Sequence, residues 1–186
     1  MKLYLIRHGR TMANEKWLYC GSTDIPLSDN GVKRINKSVS NYPEAQDYYT
    51  SGMKRAEQTF SLLYGDIAHT TVPELSEMDF GDFEMHSYEE LKNDPQYLAW
   101  ITGDNFKNVC PNGESGAQMT ERVLKAFRGI AEKGRDAVIV THGGVIAAIM
   151  DYLFPDEGKN RYDWQPGSAE GYAVDLKERN YHKIPQ

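Results

Sequence analysis

Residues 2–9 read KLYLIRHG and residues 136–144 read DAVIVTHGG. Each is a short apolar run, the second rich in β-branched residues, that stops abruptly at a polar segment carrying histidine and glycine. Runs of this length suit strands buried on both faces of a parallel sheet, whose carboxyl ends lead through a loop into a helix. Moving outward, 47–50 (DYYT) and 68–72 (HTTVP) are weaker strands, and 169–176 (AEGYAVDL) alternates as a further strand at the sheet edge. Helices are expected between them. Ser28 caps one through 30–40, Gly52 precedes one at 53–64, and 145–153 forms one that starts after His142-Gly143-Gly144 and stops before Pro155. The longest, 114–133, places Met119, Val123, Ala126, Phe127 and Ile130 on one apolar stripe. This alternation predicts an α/β three-layer sandwich, a mostly parallel central sheet with helices on both faces. Residues 75–112 hold Pro95, Pro111, many aromatics and many acids. They break the rhythm and are expected to form a small substrate-covering insertion in a single domain spanning 1–186.

The composition is that of an ordinary globular chain: 186 residues, 40% hydrophobic and 26% charged, long enough to bury a core without covalent staples. A net charge of −6 argues against a nucleic-acid binder or a protein of anionic membranes, because the long-range field repels both. Any anion must therefore meet a local cluster of cations. Cys20 and Cys110 form no CxxC pair and read as two reduced thiols, so neither a disulfide framework nor a zinc site is expected. No apolar run approaches the ~20 residues that span a membrane. The N-terminal MKLYLIRHGR lacks a small-residue cleavage site, which leaves a cytoplasmic location as the expectation.

Ligands of open α/β sheets bind at the carboxyl ends of the strands. Two such ends present histidine here, Arg7-His8-Gly9 and Thr141-His142-Gly143-Gly144, each followed by glycine that lets backbone approach a ligand closely. Arg7 adds a fixed, bidentate cation. Arg55, at the start of the helix after Ser51-Gly52, supplies a second guanidinium, and the helix after Gly144 aims its N–H groups at the same spot. Together these residues predict a phosphate pocket.

The residues also resemble a known family. RHGRTMAN (7–14), GSTDIPLSDNG (21–31), SGMKRAEQT (51–59), ELSEMDFGDFE (74–84), PNGES (111–115) and VTHGGVI (140–146) resemble, in order, the motifs of the histidine phosphatase superfamily, which also contains the phosphoglycerate mutases. The resemblance implies that His8 is the nucleophile and forms a phosphohistidine. It implies that Arg7, Arg55 and His142, with Asn14 and Gly143, surround the phosphoryl oxygens. It further implies that Glu77 is the general acid and base, its carboxyl kept protonated by burial or by neighbours such as Asp79. A metal-independent phosphomonoesterase with no cofactor, acting on a small phosphate ester, follows. Thr23, Phe83, Tyr88 and Trp100, with Trp17 and Tyr19, are the expected lining on the substrate side. Arg10 stands where the family commonly has Glu or Gln, and Gly52 where proline is frequent.

Within the family, FGDFEM (80–85) followed by Tyr97, Trp100 and PNGES resembles the branch that hydrolyses α-ribazole 5′-phosphate in cobalamin assembly. A phosphoglycerate mutase or a broad-specificity sugar-phosphate phosphatase is the alternative, although 186 residues leave little room for mutase insertions. Two other classes stay open. GESGA (113–117) is one residue from a serine-esterase GxSxG elbow, though Pro111-Asn112 breaks the strand that an elbow needs. A non-catalytic phospho-ligand binding module would keep the arginines without needing His8 or Glu77. His69, His86 and His182 lie in no motif and read as ordinary surface or core histidines. Glu84 reads as a solvated loop acid.

Overall fold

The computed structural model describes residues 1–37, 42–104 and 106–185. In chain order the elements are β1 (Lys2–Arg7), α1 (Met12–Glu15), α2 (Asp29–Asn36), β2 (Asp47–Thr50), α3 (Lys54–Tyr64) and β3 (Thr70–Thr71). There follow α4 (Tyr88–Leu91), α5 (Pro95–Ile101), α6 (Gly116–Ala131), β4 (Ala137–Thr141), α7 (Gly143–Leu153), β5 (Gly171–Asp175) and β6 (Asn180–Ile184). The strands make one sheet in the order β3-β2-β4-β1-β5-β6. β1 to β4 are mutually parallel, while β5 is antiparallel to β1 and β6 to β5.

Side chains alternate across a strand, and this period builds the three layers. On β1, Leu3 and Leu5 face one hydrophobic cluster and Ile6 the other; on β4, Ala137 and Ile139 join the first, Val138 and Val140 the second. The first cluster is closed by Val123, Phe127 and Ile130 of α6 and by Val145, Ile146 and Ile149 of α7. Ile35 of α2 and Ala56, Phe60 and Leu63 of α3 close the second. Because β4 is central and covered on both sides, all five of its residues are buried, which is why it reads as an unbroken apolar run.

Several expected boundaries shift. β5 is interior and β6 is the edge; residues 180–184 (NYHKI) escape a sequence reading because only Ile184 is buried. The strand expected at 68–72 shrinks to two exposed residues. The helix expected through 30–40 is described to Asn36, and positions 38–40 lie outside the described residues. The last large helix begins at Gly143 rather than after Gly144, with His142 at its N-cap. Ser28 and Ser115 do cap helices, each accepting an N–H three residues on, from Gly31 and Gln118, at 3.1 Å. Ser115 also forms a reciprocal capping box with Gln118 and is buried, so it is a helix start and not an exposed nucleophile elbow. Residues 75–112 contribute Leu75, Met78, Phe83, Leu91, Tyr97 and Trp100 to the same cluster as the sheet, so this stretch is built into the core. Among the described residues no helix is long and apolar enough to cross a membrane.

Helical glycines separate packing from propensity. In α2, a Cβ on Gly31 would fall on the Arg10 carbonyl oxygen, whereas in α6 a Cβ on Gly129 meets nothing within 4 Å. Alanine is worth about 0.5–1 kcal/mol over glycine in a helix interior. Gly129→Ala should therefore stabilise by about that amount, whereas Gly31→Ala should destabilise because a backbone carbonyl cannot move aside. Urea unfolding of the two variants beside wild type measures both signs, and equal effects would refute the assignment.

Candidate active site

Strand register assembles the site. Arg7 pairs with Thr141 across β1 and β4, and the His8 N–H donates to the Thr141 carbonyl at 2.8 Å. The two residues that follow, His8 and His142, therefore leave adjacent strands at the same level, and their rings lie 5.1 Å apart at 60°. β2 flanks β4 on its other side with Thr50 opposite Val140, so Ser51 and Arg55 reach the same end of the sheet.

All four histidine and arginine side chains are buried or half-buried, and each is held by a neutral group. His8 Nδ1 lies 2.7 Å from the carbonyl of Gly9. A carbonyl only accepts, so Nδ1 carries the proton and Nε2 keeps its lone pair. Arg55, 1% exposed, donates from Nη1 to the Thr23 carbonyl (2.9 Å) and from Nη2 to the Gly21 carbonyl (2.7 Å). Arg7 donates from Nη1 to the Pro166 carbonyl at 2.7 Å. His142 Nε2 pairs with Ser51 Oγ at 2.8 Å. On these four side chains, three buried nitrogens have no partner among the described residues: Arg7 Nε, Arg55 Nε and His142 Nδ1. Unpaired buried N–H groups are costly unless an acceptor arrives, and a phosphoryl group supplies several acceptor oxygens at once.

Burial, followed by the charges of Arg55 and Arg7, pushes His8 down to about 3. Burial, then His8 and the same arginines, holds His142 well below the ordinary histidine value. Both rings are therefore neutral near pH 7, and burial likewise lowers Arg7 from its ordinary value.

Glu77 reaches the site from the loop after Leu75. Its Oε2 accepts the N–H of Gly144 at 2.9 Å and its Oε1 that of Met78 at 3.0 Å. A Cβ on Gly144 would fall on that carboxylate, and one on Gly143 would come within 3.2 Å of the Arg7 guanidinium carbon, so a side chain at either glycine would push a charged group of the site aside. Asp79, expected beside Glu77, instead takes the Ser22 hydroxyl (2.8 Å) and the Gly81 N–H (2.9 Å).

The structure thus brings together Arg7, His8, Arg55, Glu77, His142 and Gly143. Asn14 lines the adjoining cleft with Arg7. Its Oδ1 accepts from the Thr11 N–H and hydroxyl, both at 3.0 Å, which leaves its NH2 as a donor. Tyr88, Trp17 and Tyr19 line the same cleft. Phe83 and Trp100 do not, contrary to expectation: they are 2% and 9% exposed, packed against Tyr97 in the core. Thr23 supports rather than lines, its carbonyl accepting from Arg55 and its hydroxyl donating to Glu84 at 2.6 Å.

Three functional residues were not evident from sequence. Glu84 is no solvated acid: it accepts the N–H groups of Gly21, Ser22, Thr23 and Phe80 and the Thr23 hydroxyl. Drawing in those N–H groups turns the Gly21 and Thr23 carbonyls toward Arg55. Arg122 on α6 donates to the carbonyls of Glu74 (2.8 Å), Ser76 (2.7 Å) and Glu77 (2.9 Å) and pairs with Glu114, clamping the loop that presents Glu77. Ser51 holds His142. The available signals were positional: Ser51 opens the second-arginine motif and Glu84 closes the 74–84 motif, whereas Arg122 lies in none.

A model of the histidine phosphatase superfamily (branch 1) matches residues 3–182, and the chain belongs to that superfamily. The adenosylcobalamin/alpha-ribazole phosphatase of Salmonella typhimurium is 29% identical over 188 residues, covering 96% of this chain and 92% of that protein. The crystal structure of the alpha-ribazole phosphatase from Shigella flexneri aligns with a TM-score of 0.85 at 27% identity, covering 97% of this chain and 93% of that one. The crystal structure of phosphoglycerate mutase from Thermus thermophilus aligns with a TM-score of 0.75 at 31% identity, covering 94% and 93%.

Two outcomes test this arrangement. A buried histidine that refuses a proton makes the folded state bind fewer protons than the unfolded chain, so stability rises with pH and is lost as pH falls below about 6.5. With His8 at about 3, lowering pH from 7 to 5 should remove about 2 kcal/mol through this residue alone. Denaturant unfolding at both pH values should show this loss, with a shallower slope in His8→Asn. Separately, Glu84→Gln places N–H against N–H and loosens the carbonyls around Arg55. Calorimetry with inorganic phosphate should show binding about tenfold weaker or worse.

Proposed function

We propose that the chain is a metal-independent phosphomonoesterase that works through a phosphohistidine on His8, with α-ribazole 5′-phosphate as its substrate. The observation that carries the mechanism is the state of His8: Nδ1–H is tied to the Gly9 carbonyl, and the ring is kept neutral amid buried donors. The Nε2 lone pair attacks phosphorus while the P–O bond to the leaving group breaks. Glu77 serves as the general acid, a proton passing through its carboxyl to the departing alkoxide. A water then attacks phosphorus, its proton passes to Glu77, the N–P bond breaks, and inorganic phosphate leaves with His8 restored. Arg7, Arg55, His142 and the Asn14 amide donate to the non-bridging oxygens, and their pairing strengthens as charge spreads over them. Gly143 opens α7, whose positive dipole end lies beside the same pocket, while the Gly144 N–H holds the Glu77 carboxyl.

The substrate assignment draws on the likeness to the Salmonella typhimurium and Shigella flexneri enzymes and on a cleft walled by aromatic side chains and arginines next to the pocket. The test is hydrolysis of α-ribazole 5′-phosphate, 3-phosphoglycerate and p-nitrophenyl phosphate in the presence of EDTA. The first should be turned over fastest, and acid quench should trap an acid-labile phosphoryl group that His8→Ala lacks. Glu77→Gln should cost about 10²–10⁴ in kcat with the alkyl ester and less with p-nitrophenol, which leaves without a proton. A requirement for magnesium, or equal rates on the three esters, would sink the respective parts.

A further inference from the structure

The cleft outside the phosphate pocket has a volume of about 560 Å³, and its walls include Arg7, Arg10, Asn14, Trp17, Tyr19 and Tyr88. Trp17 stands apart from the other two tryptophans. Trp100 and Trp164 are buried, whereas Trp17 is 82% exposed. Its backbone sits in the left-handed region at φ 57°, which bulky residues avoid unless the surroundings impose it. The imposing contact is the Leu18 N–H, which donates to the Ala13 carbonyl at 2.9 Å and turns the chain back after α1. Among the described residues Trp17 touches no other ring, so its indole faces are bare. Arg10 lines the same wall, and its guanidinium has no partner among the described residues. An exposed indole and a strained turn are both unfavourable in the free protein. The turn fixes the indole at the cleft mouth, and a flat ligand group laid on it would cover the exposed ring, with the Arg10 guanidinium on the same wall free to donate to ring nitrogens or hydroxyls.

We propose that Trp17 is the stacking plate for the flat nitrogen-heterocyclic base of a nucleotide-like monophosphate whose phosphoryl group sits among Arg7, His8, Arg55 and His142. This rests on the phosphatase reading and names what that site selects in the rest of the substrate. Stacking of a base on an aromatic side chain is worth about tenfold or more in affinity. Because the other tryptophans are buried, quenching of the exposed indole reports occupancy directly.

The experiment compares α-ribazole 5′-phosphate, adenosine 5′-monophosphate and ribose 5-phosphate as ligands of His8→Ala, which binds without turnover. Binding is read by calorimetry and by tryptophan fluorescence, in that protein and with Trp17→Ala or Trp17→Phe added. The base-bearing esters should bind at least tenfold more tightly than ribose 5-phosphate and quench the exposed tryptophan. Trp17→Ala should abolish that advantage, while Trp17→Phe should keep it within about threefold. A general loss of structure would weaken all three ligands alike and leave their ratio unchanged. An unchanged ratio in Trp17→Ala, or no advantage for either base, overturns the proposal while ribose 5-phosphate binding keeps the phosphate pocket intact. If none of the three binds, both readings fall. A preference between benzimidazole and purine identifies which base the plate has selected.

Discussion

A guanidinium buried without a carboxylate beside it is the constraint around which this molecule is organised. Arg55 is almost wholly inside the protein, yet its partners are the carbonyls of Gly21 and Thr23. Arg7 likewise leans on the Pro166 carbonyl. A carboxylate bonded to Arg55 would give a stronger pair and cancel its charge. Carbonyl dipoles solvate the charge without cancelling it, so the net positive charge stays available to a phosphate. Burying charge on these terms is costly, and it demands a rigid cage of oxygens around each arginine.

Much of the surrounding structure supplies that rigidity at one remove. Glu84 collects four N–H groups and a hydroxyl and thereby fixes the 21–23 loop. Thr59 accepts the Gly9 N–H and donates to the Arg55 carbonyl, tying the loop after β1 to the helix that carries the second arginine. Arg122 does for the Glu77 loop what Glu84 does for the 21–23 loop, with the charges reversed: a cation gathers carbonyls there, as an anion gathers N–H groups here. The overall charge of −6 is compatible with this arrangement because the positive potential is concentrated at one end of the sheet, where small phosphate esters fit and polyanions are repelled.

Neutral histidines are the other consequence. Two imidazoles 5.1 Å apart among buried guanidinium groups cannot both carry charge, and burial has already removed the water that would support it. What remains is a lone pair on His8 and donors around it, the combination that nucleophilic attack on a phosphoryl group requires.

The strand and helix pattern and the charged residues at its strand ends were legible in the linear chain because both are local properties. Apolar runs at 2–6 and 136–140 mark the central strands, Ser28 marks a helix start, Arg7 ends a strand, His8 and His142 follow strand ends directly, and Arg55 lies at the start of the helix after the next strand. The edge strand β6 was not legible, because a strand that buries only Ile184 carries no hydrophobic pattern. Nor were the partners of Arg55 and the clamp on Glu77, which join residues tens of positions apart through backbone atoms that every residue possesses. Phe83 and Trp100 show the same limit in reverse: their type suits core and cleft alike, and only packing against Tyr97 placed them in the core. The linear chain specifies which side chains bring chemistry to the sheet. Which of them face one phosphate is settled by folding, because register and long-range backbone hydrogen bonds set direction and no residue type records them.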